Sequence, residues 1–370
     1  MKWFLTLYCL FCCHFVDGQT DGSNPNAPPP FISGLLGKML QSSGFKTPIP
    51  TRNVAMNFNL TADEMNKLVA LTDLNKFRTL LKPILVERQV GTKEHEEVAK
   101  YIEDTLRPLG FELTDDEFEA QTPMGKKKFR NLIATFNPKA SRRLVLACHY
   151  DSKIMKNETF IGATDSAVPC AMLLDLAITL HPMLQKATKL PIALQLLFLD
   201  GEEAFVEFTP TDSLYGARHL ARKWSPEELD QITAFVLLDL LGASHPFIAH
   251  TIGHQKSWNK AHFRQDNRNS YVIAFKLFEC VVESNLTKSK TLRDVPPIFY
   301  SFEIPEGIQD DFIPFRSRRV PIVHMITANF PPVWHTADDN EMALDYDVIF
   351  NLLSILRVFV AGYLGLNVER

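Results

Sequence analysis

The chain has 370 residues, 46% of them hydrophobic and 22% charged, with a formal net charge of -4. That length can bury a large core in one α/β domain. The slightly acidic balance, without a polybasic tract, gives little support to a nucleic-acid partner, and none is expected.

In chain order, the first residues read MKWFLTLYCLFCCHFVDGQ: one lysine, an apolar segment from Trp3 to Val16, then Val16 and Gly18 suiting cleavage before Gln19. The apolar segment falls short of the ~20 residues that cross a bilayer, so residues 1–18 read as a secretory signal peptide and the protein as secreted. A cut before Gln19 would leave a mature chain that begins with glutamine. No later segment is expected to span a membrane, since the run from Leu352 to Leu366 is interrupted by Arg357. Removing the signal leaves Cys148, Cys170 and Cys280, an odd set for an oxidising compartment, most simply one pair and one buried thiol. Asn59, Asn157 and Asn285 open N-x-T sequons, which secretion makes usable for glycosylation.

Residues 19–50 are rich in Pro, Gly, Ser and Asn and read as a flexible leader, leaving 51–370 as the folded domain. Thr61 and Glu64 have the spacing of a capping box. Helical spacing follows over 74–86 and over 93–109, the second stopping at Gly110. Residues 111–118 and 128–136 read as strands joined through TPMG. From there strand, loop and helix alternate. Strand 144–148 ends in His149, Tyr150 and Asp151, a loop brings Asp165, and 167–180 is helical. The continuous apolar run of strand 191–199 halts at Asp200, Gly201, Glu202 and Glu203, which is how a buried strand delivers carboxylates to a sheet edge. Helix 213–223, strand 232–238 ending in Asp239, strand 320–326, a loop with Phe330, Trp334 and His335, and a long amphipathic helix over 341–364 complete the order. The fold class is α/β, a single domain with a central, mostly parallel mixed sheet flanked by helices. Ligands of such sheets bind beyond the carboxyl ends of the strands.

His149, Asp151, Asp165, Glu202, Glu203, Asp239 and His335 all arrive at that edge. Alone, each has an ordinary structural role: DGEE suits a helix start, Asp165 before Ser166 a helix cap, and either histidine a satisfied core position. Together they conflict, because clustered buried carboxylates raise one another's pKa and destabilise the fold unless a cation is present. Three carboxylate or imidazole ligands with an open fourth position is the catalytic zinc arrangement.

The strings LACHYDSK (146–153), GATDSAVPCAMLL (162–174), FLDGEEAF (198–205), DSLYGARHLA (212–221), LLDLLGA (237–243), IQDDFIPF (308–315) and FPPVWHTADDN (330–340) resemble animal glutaminyl-peptide cyclotransferases, relatives of the zinc aminopeptidases of the M28 clan. The resemblance runs from about residue 60 to near the C-terminus. It implies a zinc-aminopeptidase-like fold with one Zn2+ per chain on Asp165, Glu203 and His335. It also implies Glu202 as general acid/base, Asp239 and Asp310 as a hydrogen-bonded acidic pair, and Gln309, Phe330 and Trp334 as the pocket for an N-terminal glutaminyl residue. The family's disulfide falls on Cys148 and Cys170. The implied reaction closes N-terminal Gln, and more slowly Glu, of peptides and proteins to pyroglutamate, in a secreted monomer. Two departures stand out: Phe208 where tryptophan is usual, and Phe312 where histidine is expected. The competing functions are a secreted aminopeptidase, with His149 and Asp239 completing a second zinc site, and a non-catalytic binding ectodomain on the same fold.

Overall fold

The computed structural model describes residues 60–187, 190–250, 286–287, 290–303 and 307–368. The expected signal peptide (1–18) and leader (19–50), with Gln19, Asn59, Cys280 and Asn285, lie outside the described residues. Helix α1 (Ala62–Val69) opens on the expected capping box: Glu64 N–H donates to Thr61 Oγ1 (3.3 Å) and Thr61 N–H to Glu64 Oε2 (2.7 Å). Helix α2 (Leu74–Leu81) stops earlier than its apolar spacing suggests, because Pro83 removes a donor and turns 82–84 into a 3-10 segment. Helix α3 (Lys93–Leu106) passes through a similar turn at Pro108 to Gly110, which closes it with φ of 78°.

Strands β1 (Glu112–Thr122) and β2 (Gly125–Phe136) form a hairpin longer at the turn than expected, with only Pro123 and Met124 between them. Then come β3 (Arg142–His149), α4 (Val168–Lys186), β4 (Ile192–Leu199), α5 (Tyr215–Lys223), α6 (Pro226–Asp230) and β5 (Ile232–Leu238). A separate two-stranded pair, β6 (Ile248–His250) with β7 (Phe299–Glu303), follows, then α7 (Phe312–Ser317), β8 (Ile322–Met325) and α8 (Tyr346–Leu364).

The main sheet has the order β1-β2-β4-β3-β5-β8. β4, β3, β5 and β8 run parallel, and the β1–β2 hairpin adds antiparallel to β4. Every residue of β4 is buried, which is why its sequence reads as an unbroken apolar run. On β3, Leu144, Leu146 and Cys148 join the core formed with α1–α4 and α8, while Val145 and Ala147 join the opposite core with α5 and α7. The chain leaves β3 through α4 to reach β4 on one side, then returns to β5 on the other. In sheets of this kind ligands bind beyond the carboxyl ends of the strands where the order reverses, here those of β3 and β5.

Two sequence expectations need correction here. The C-terminal segment is not one amphipathic helix: residues 341–343 form a short 3-10 turn, Asp345 caps a fresh start, and 16 of the 19 residues of α8 are buried. A helix that is apolar all round belongs in a core. Arg357 also fails to disqualify it by hydropathy, since α4 (with the turn before it) and α8 are both long and apolar enough to cross a membrane by length and composition. They are 72% and 89% buried within the protein, as core helices are.

Candidate metal and acid–base centre

The turn after β4 is built from buried polar bonds. Asp200, fully buried, is taken by the scaffold: its Oδ1 lies 2.8 Å from His95 Nε2 and its Oδ2 accepts Arg130 N–H (2.7 Å). Gly201 adopts φ of 68°, and a Cβ there would sit 2.4 Å from the Phe129 ring, so only glycine fits. Glu202 and Glu203 N–H then donate to the two oxygens of Asp151, at 3.1 and 3.2 Å. Asp151, just past β3, thereby fixes the direction in which both glutamates leave the chain.

Glu203 Oε2 is 3.1 Å from Lys153 Nζ, and Glu203 Oε1 is 3.4 Å from His335 Nε2. Asp165 lies between two imidazoles, with Oδ1 3.0 Å from His149 Nε2 and Oδ2 3.4 Å from His335 Nε2. Asp165, Glu203 and His335 present ligand atoms within 4.8 Å of one another, and so do His149, Asp165 and Asp239. Glu203 Oε1 is buried and accepts no hydrogen bond. An unsatisfied carboxylate oxygen facing an imidazole and a second carboxylate suits a cation, and this oxygen and nitrogen donor set fits zinc.

The electrostatics carry the same message. Burial works against a charge on His335, yet Asp165 and Glu203 outweigh it and push the imidazole up to about 9. His149 is raised well above its ordinary value, burial being outweighed by Asp151, Asp165 and Asp239. Burial opposes ionisation of Asp165 too, but the two histidines hold it below the usual carboxylate range. Glu202 goes the other way: burial first, then the charges of Glu203, Asp310 and Asp311, push it well up against the pull of His149. Burial and Asp310 raise Asp239 to about 6. Adjacent carboxylates in one turn thus meet different surroundings: Glu203 faces Lys153 and His335, while Glu202 is pushed toward its protonated form.

The expected hydrogen bond between Asp239 and Asp310 is absent among the described residues. Asp239 Oδ1 accepts from Ser166 Oγ–H and from Leu240 N–H (2.8 Å). Asp310 Oδ2 instead lies 2.6 Å from His324 Nε2, and its Oδ1 accepts Asp311 N–H at 2.6 Å. The reason is topological: β8 runs beside β5 and carries buried His324 to Asp310, so Asp310 is already partnered. It still acts on Asp239 through space, as the raised pKa of Asp239 records.

A family model for peptidase family M28 matches residues 131–360. Glutaminyl-peptide cyclotransferase of Drosophila melanogaster is 45% identical over 302 residues, covering 81% of this chain and 83% of that protein. A glutaminyl-peptide cyclotransferase-like protein of Bos taurus is 42% identical over 306 residues, covering 78% and 76%. The crystal structure of Macrostomum lignano glutaminyl cyclase superposes with a TM-score of 0.78 at 35% identity, over 87% of this chain and 99% of that one. The chain belongs to the glutaminyl-peptide cyclotransferases of peptidase family M28.

Around this group of ligand atoms, Trp334 is 39% exposed and stacks on the His335 ring at 4.0 Å, while Phe330, half-buried, meets Trp334 edge-on at 4.8 Å. Gln309 is exposed, one residue before buried Asp310. The two departures from the family pattern pack into the scaffold: Phe208 is half-buried against the cluster that holds Phe315, and Phe312 lies 4.6 Å from the His324 ring. Cys148 and Cys170 are buried with their sulfurs 2.9 Å apart, as free thiols in this structure. Asn157 is exposed. Sequence reading missed His324, Arg88, Lys153, Asp311 and Asp339. A histidine in the middle of an otherwise apolar strand was the available signal for His324. The other four carry no local signature, because their partners are remote in sequence.

Proposed function

We propose that this chain converts N-terminal glutamine, and more slowly glutamate, of peptides and proteins into pyroglutamate, with zinc on Asp165, Glu203 and His335 and with Glu202 as the proton carrier. The observation that carries the reading is the split in the turn after β4: Glu203 has an unsatisfied buried oxygen toward His335, and neighbouring Glu202 is pushed toward the protonated form. Ring closure joins the α-amine to the peptide's own γ-amide carbon, so the reaction is intramolecular and depends on orientation. The aromatic faces of Trp334 and Phe330, with Gln309 at the rim, line the glutaminyl pocket. Glu202 accepts a proton as the amine nitrogen forms its bond to carbon, and returns it to the departing amide nitrogen, which leaves as ammonia. A zinc ion, when bound, supplies Lewis acidity toward the γ-carbonyl oxygen. Asp239 and Asp310 are the acidic pair of the same centre, and Asp310, together with Asp311, keeps the field at Glu202 negative, which favours a protonated carboxyl between transfers.

The remaining readings belong to the same proposal. The catalytic domain spans 51–370, behind the signal peptide and flexible leader; the protein is secreted as a monomer. Cys148 and Cys170 form a disulfide there, and the sequons at Asn59, Asn157 and Asn285 carry glycans.

A second reading, a zinc aminopeptidase, is favoured by the group His149, Asp165 and Asp239, which could hold a second ion. Against it, Asp239 Oδ1 already accepts from Ser166 Oγ–H and Leu240 N–H, whereas Glu203 Oε1 has no such donor. Metal analysis together with a Gln-initiated peptide separates the two. One zinc per chain and a product lighter by one ammonia are expected; two zinc ions and release of free glutamine would establish the peptidase. Chelation should abolish the ammonia loss, and added zinc restore it.

A further inference from the structure

The loop 161–165, which delivers Asp165, is held on two sides by groups of opposite charge. Arg88 is fully buried, and among the described residues no carboxylate lies within ion-pair distance of it. Its guanidinium donates only to carbonyl oxygens: Nη1 to Val86 (3.3 Å) and Ile161, and Nη2 to Gly162 (3.1 Å) and Asp165 (3.3 Å). Burying an unpaired cation is costly, and three carbonyls of one loop are what compensates it. On the amide side, Asp339, also fully buried, accepts Thr164 N–H on Oδ1 (2.9 Å) and Thr164 Oγ–H on Oδ2 (3.0 Å), and its own carbonyl accepts Ala163 N–H (3.0 Å). Between these two grips Gly162 turns with φ of 58°, and a Cβ there would lie 2.2 Å from the Asp165 carbonyl oxygen.

The same two residues join the three segments that carry ligands. Asp339 lies on the loop of His335. Arg88 is hydrogen-bonded through its backbone to Ser152, beside the Asp151 that orients Glu203: Arg88 N–H donates to Ser152 Oγ (2.9 Å), and Ser152 N–H to the Arg88 carbonyl (3.2 Å). We propose that Arg88 and Asp339 are positioning residues that preassemble the Asp165, Glu203 and His335 group and so set its metal affinity. Both are fully buried behind the ligand atoms' own segments. Their effect is to order the Asp165 loop before a cation arrives, so that binding does not have to supply that ordering. This inference rests on the zinc reading above.

The test uses the full mature chain, titrated with Zn2+ against a chromophoric chelator, alongside unfolding of the metal-free protein and activity as a function of free zinc. Asp339→Asn and Thr164→Val each remove part of the grip on Thr164 without emptying the core. Both are expected to weaken zinc binding about 10–100-fold, the usual cost of losing an outer partner of a metal site. The metal-free unfolding temperature should stay close to wild type, and saturating zinc should restore the turnover. Zinc affinity equal to wild type in folded Thr164→Val, or a turnover that added zinc does not restore, overturns the proposal. Should Asp339→Asn fail to fold, Thr164→Val decides alone. A wild-type chain that binds no zinc would instead sink the zinc reading, a result distinguishable from failure of the clamp.

Discussion

Glu202→Gln is expected to lower kcat by about 10²–10⁴-fold, the usual contribution of a positioned acid/base, while leaving zinc content and unfolding temperature near wild type. Glutamine keeps the shape and the backbone bond to Asp151, which is made by the Glu202 N–H and not by its side chain. It removes a buried negative charge from a neighbourhood that already disfavours one, so the fold should tolerate it. Glu203→Ala should behave differently. It deletes the carboxylate that faces His335 and leaves Lys153 without its 3.1 Å partner, so zinc should be lost and activity should return only at high free zinc. The reverse pattern, with zinc lost in Glu202→Gln and retained in Glu203→Ala, would mean that the two tasks are exchanged.

Arg357→Met is expected to cost about 3–5 kcal/mol of stability, because it strands a buried carboxylate. Arg357 is fully buried in α8, with Nη2 2.6 Å from Asp175 Oδ2 on α4. It also donates Nη1 to the Leu68 carbonyl (3.1 Å) and Thr72 Oγ1 (2.6 Å), and Nε to Thr179 Oγ1 (2.9 Å). One side chain thus ties α8 to α4 and to the end of α1. Asp175 is already raised in the folded protein, burial outweighing Arg357. Removing the arginine raises it further. A carboxyl whose folded pKa is raised is stable to burial below its unfolded pKa and becomes costly as pH rises through the folded value. The penalty of Arg357→Met, measured by denaturant unfolding, should therefore shrink as pH falls. Adding Asp175→Leu should recover much of the loss, since a well-packed apolar pair can replace a buried ion pair. No recovery in the double variant would show that the bonds to Leu68, Thr72 and Thr179 matter more than the charge pair.

Much of the architecture is local and therefore legible along the chain. The capping box at Thr61, the stop at Gly110, the unbroken apolar run of β4 and the alternation after residue 142 each reflect one element's own backbone chemistry. The glutamates after β4, Asp165, Asp239 and His335 were legible only jointly: each alone suits an ordinary structural role, and it is their arrival at one sheet edge that calls for a cation. The hydropathy of α8 was misread for an instructive reason. Charges at its ends and Arg357 within it mimic an amphipathic pattern, whereas the arginine is in fact consumed inside the core.

Which acid serves which purpose was decided only in three dimensions. Asp200 precedes Glu202 and Glu203 in the same turn, yet its carboxylate belongs to His95 and Arg130. The family resemblance implied a hydrogen bond between Asp310 and Asp239, but β8 brings His324 to Asp310 first. The clamp on the Asp165 loop joins Thr164 to a residue 175 positions away. By itself the sequence determined the family, the sheet and the inventory of charged groups, because those depend on residue type and local period. The tertiary structure alone decided the pairing, because burial charges every polar group for an absent partner and only the folded chain specifies who is within reach.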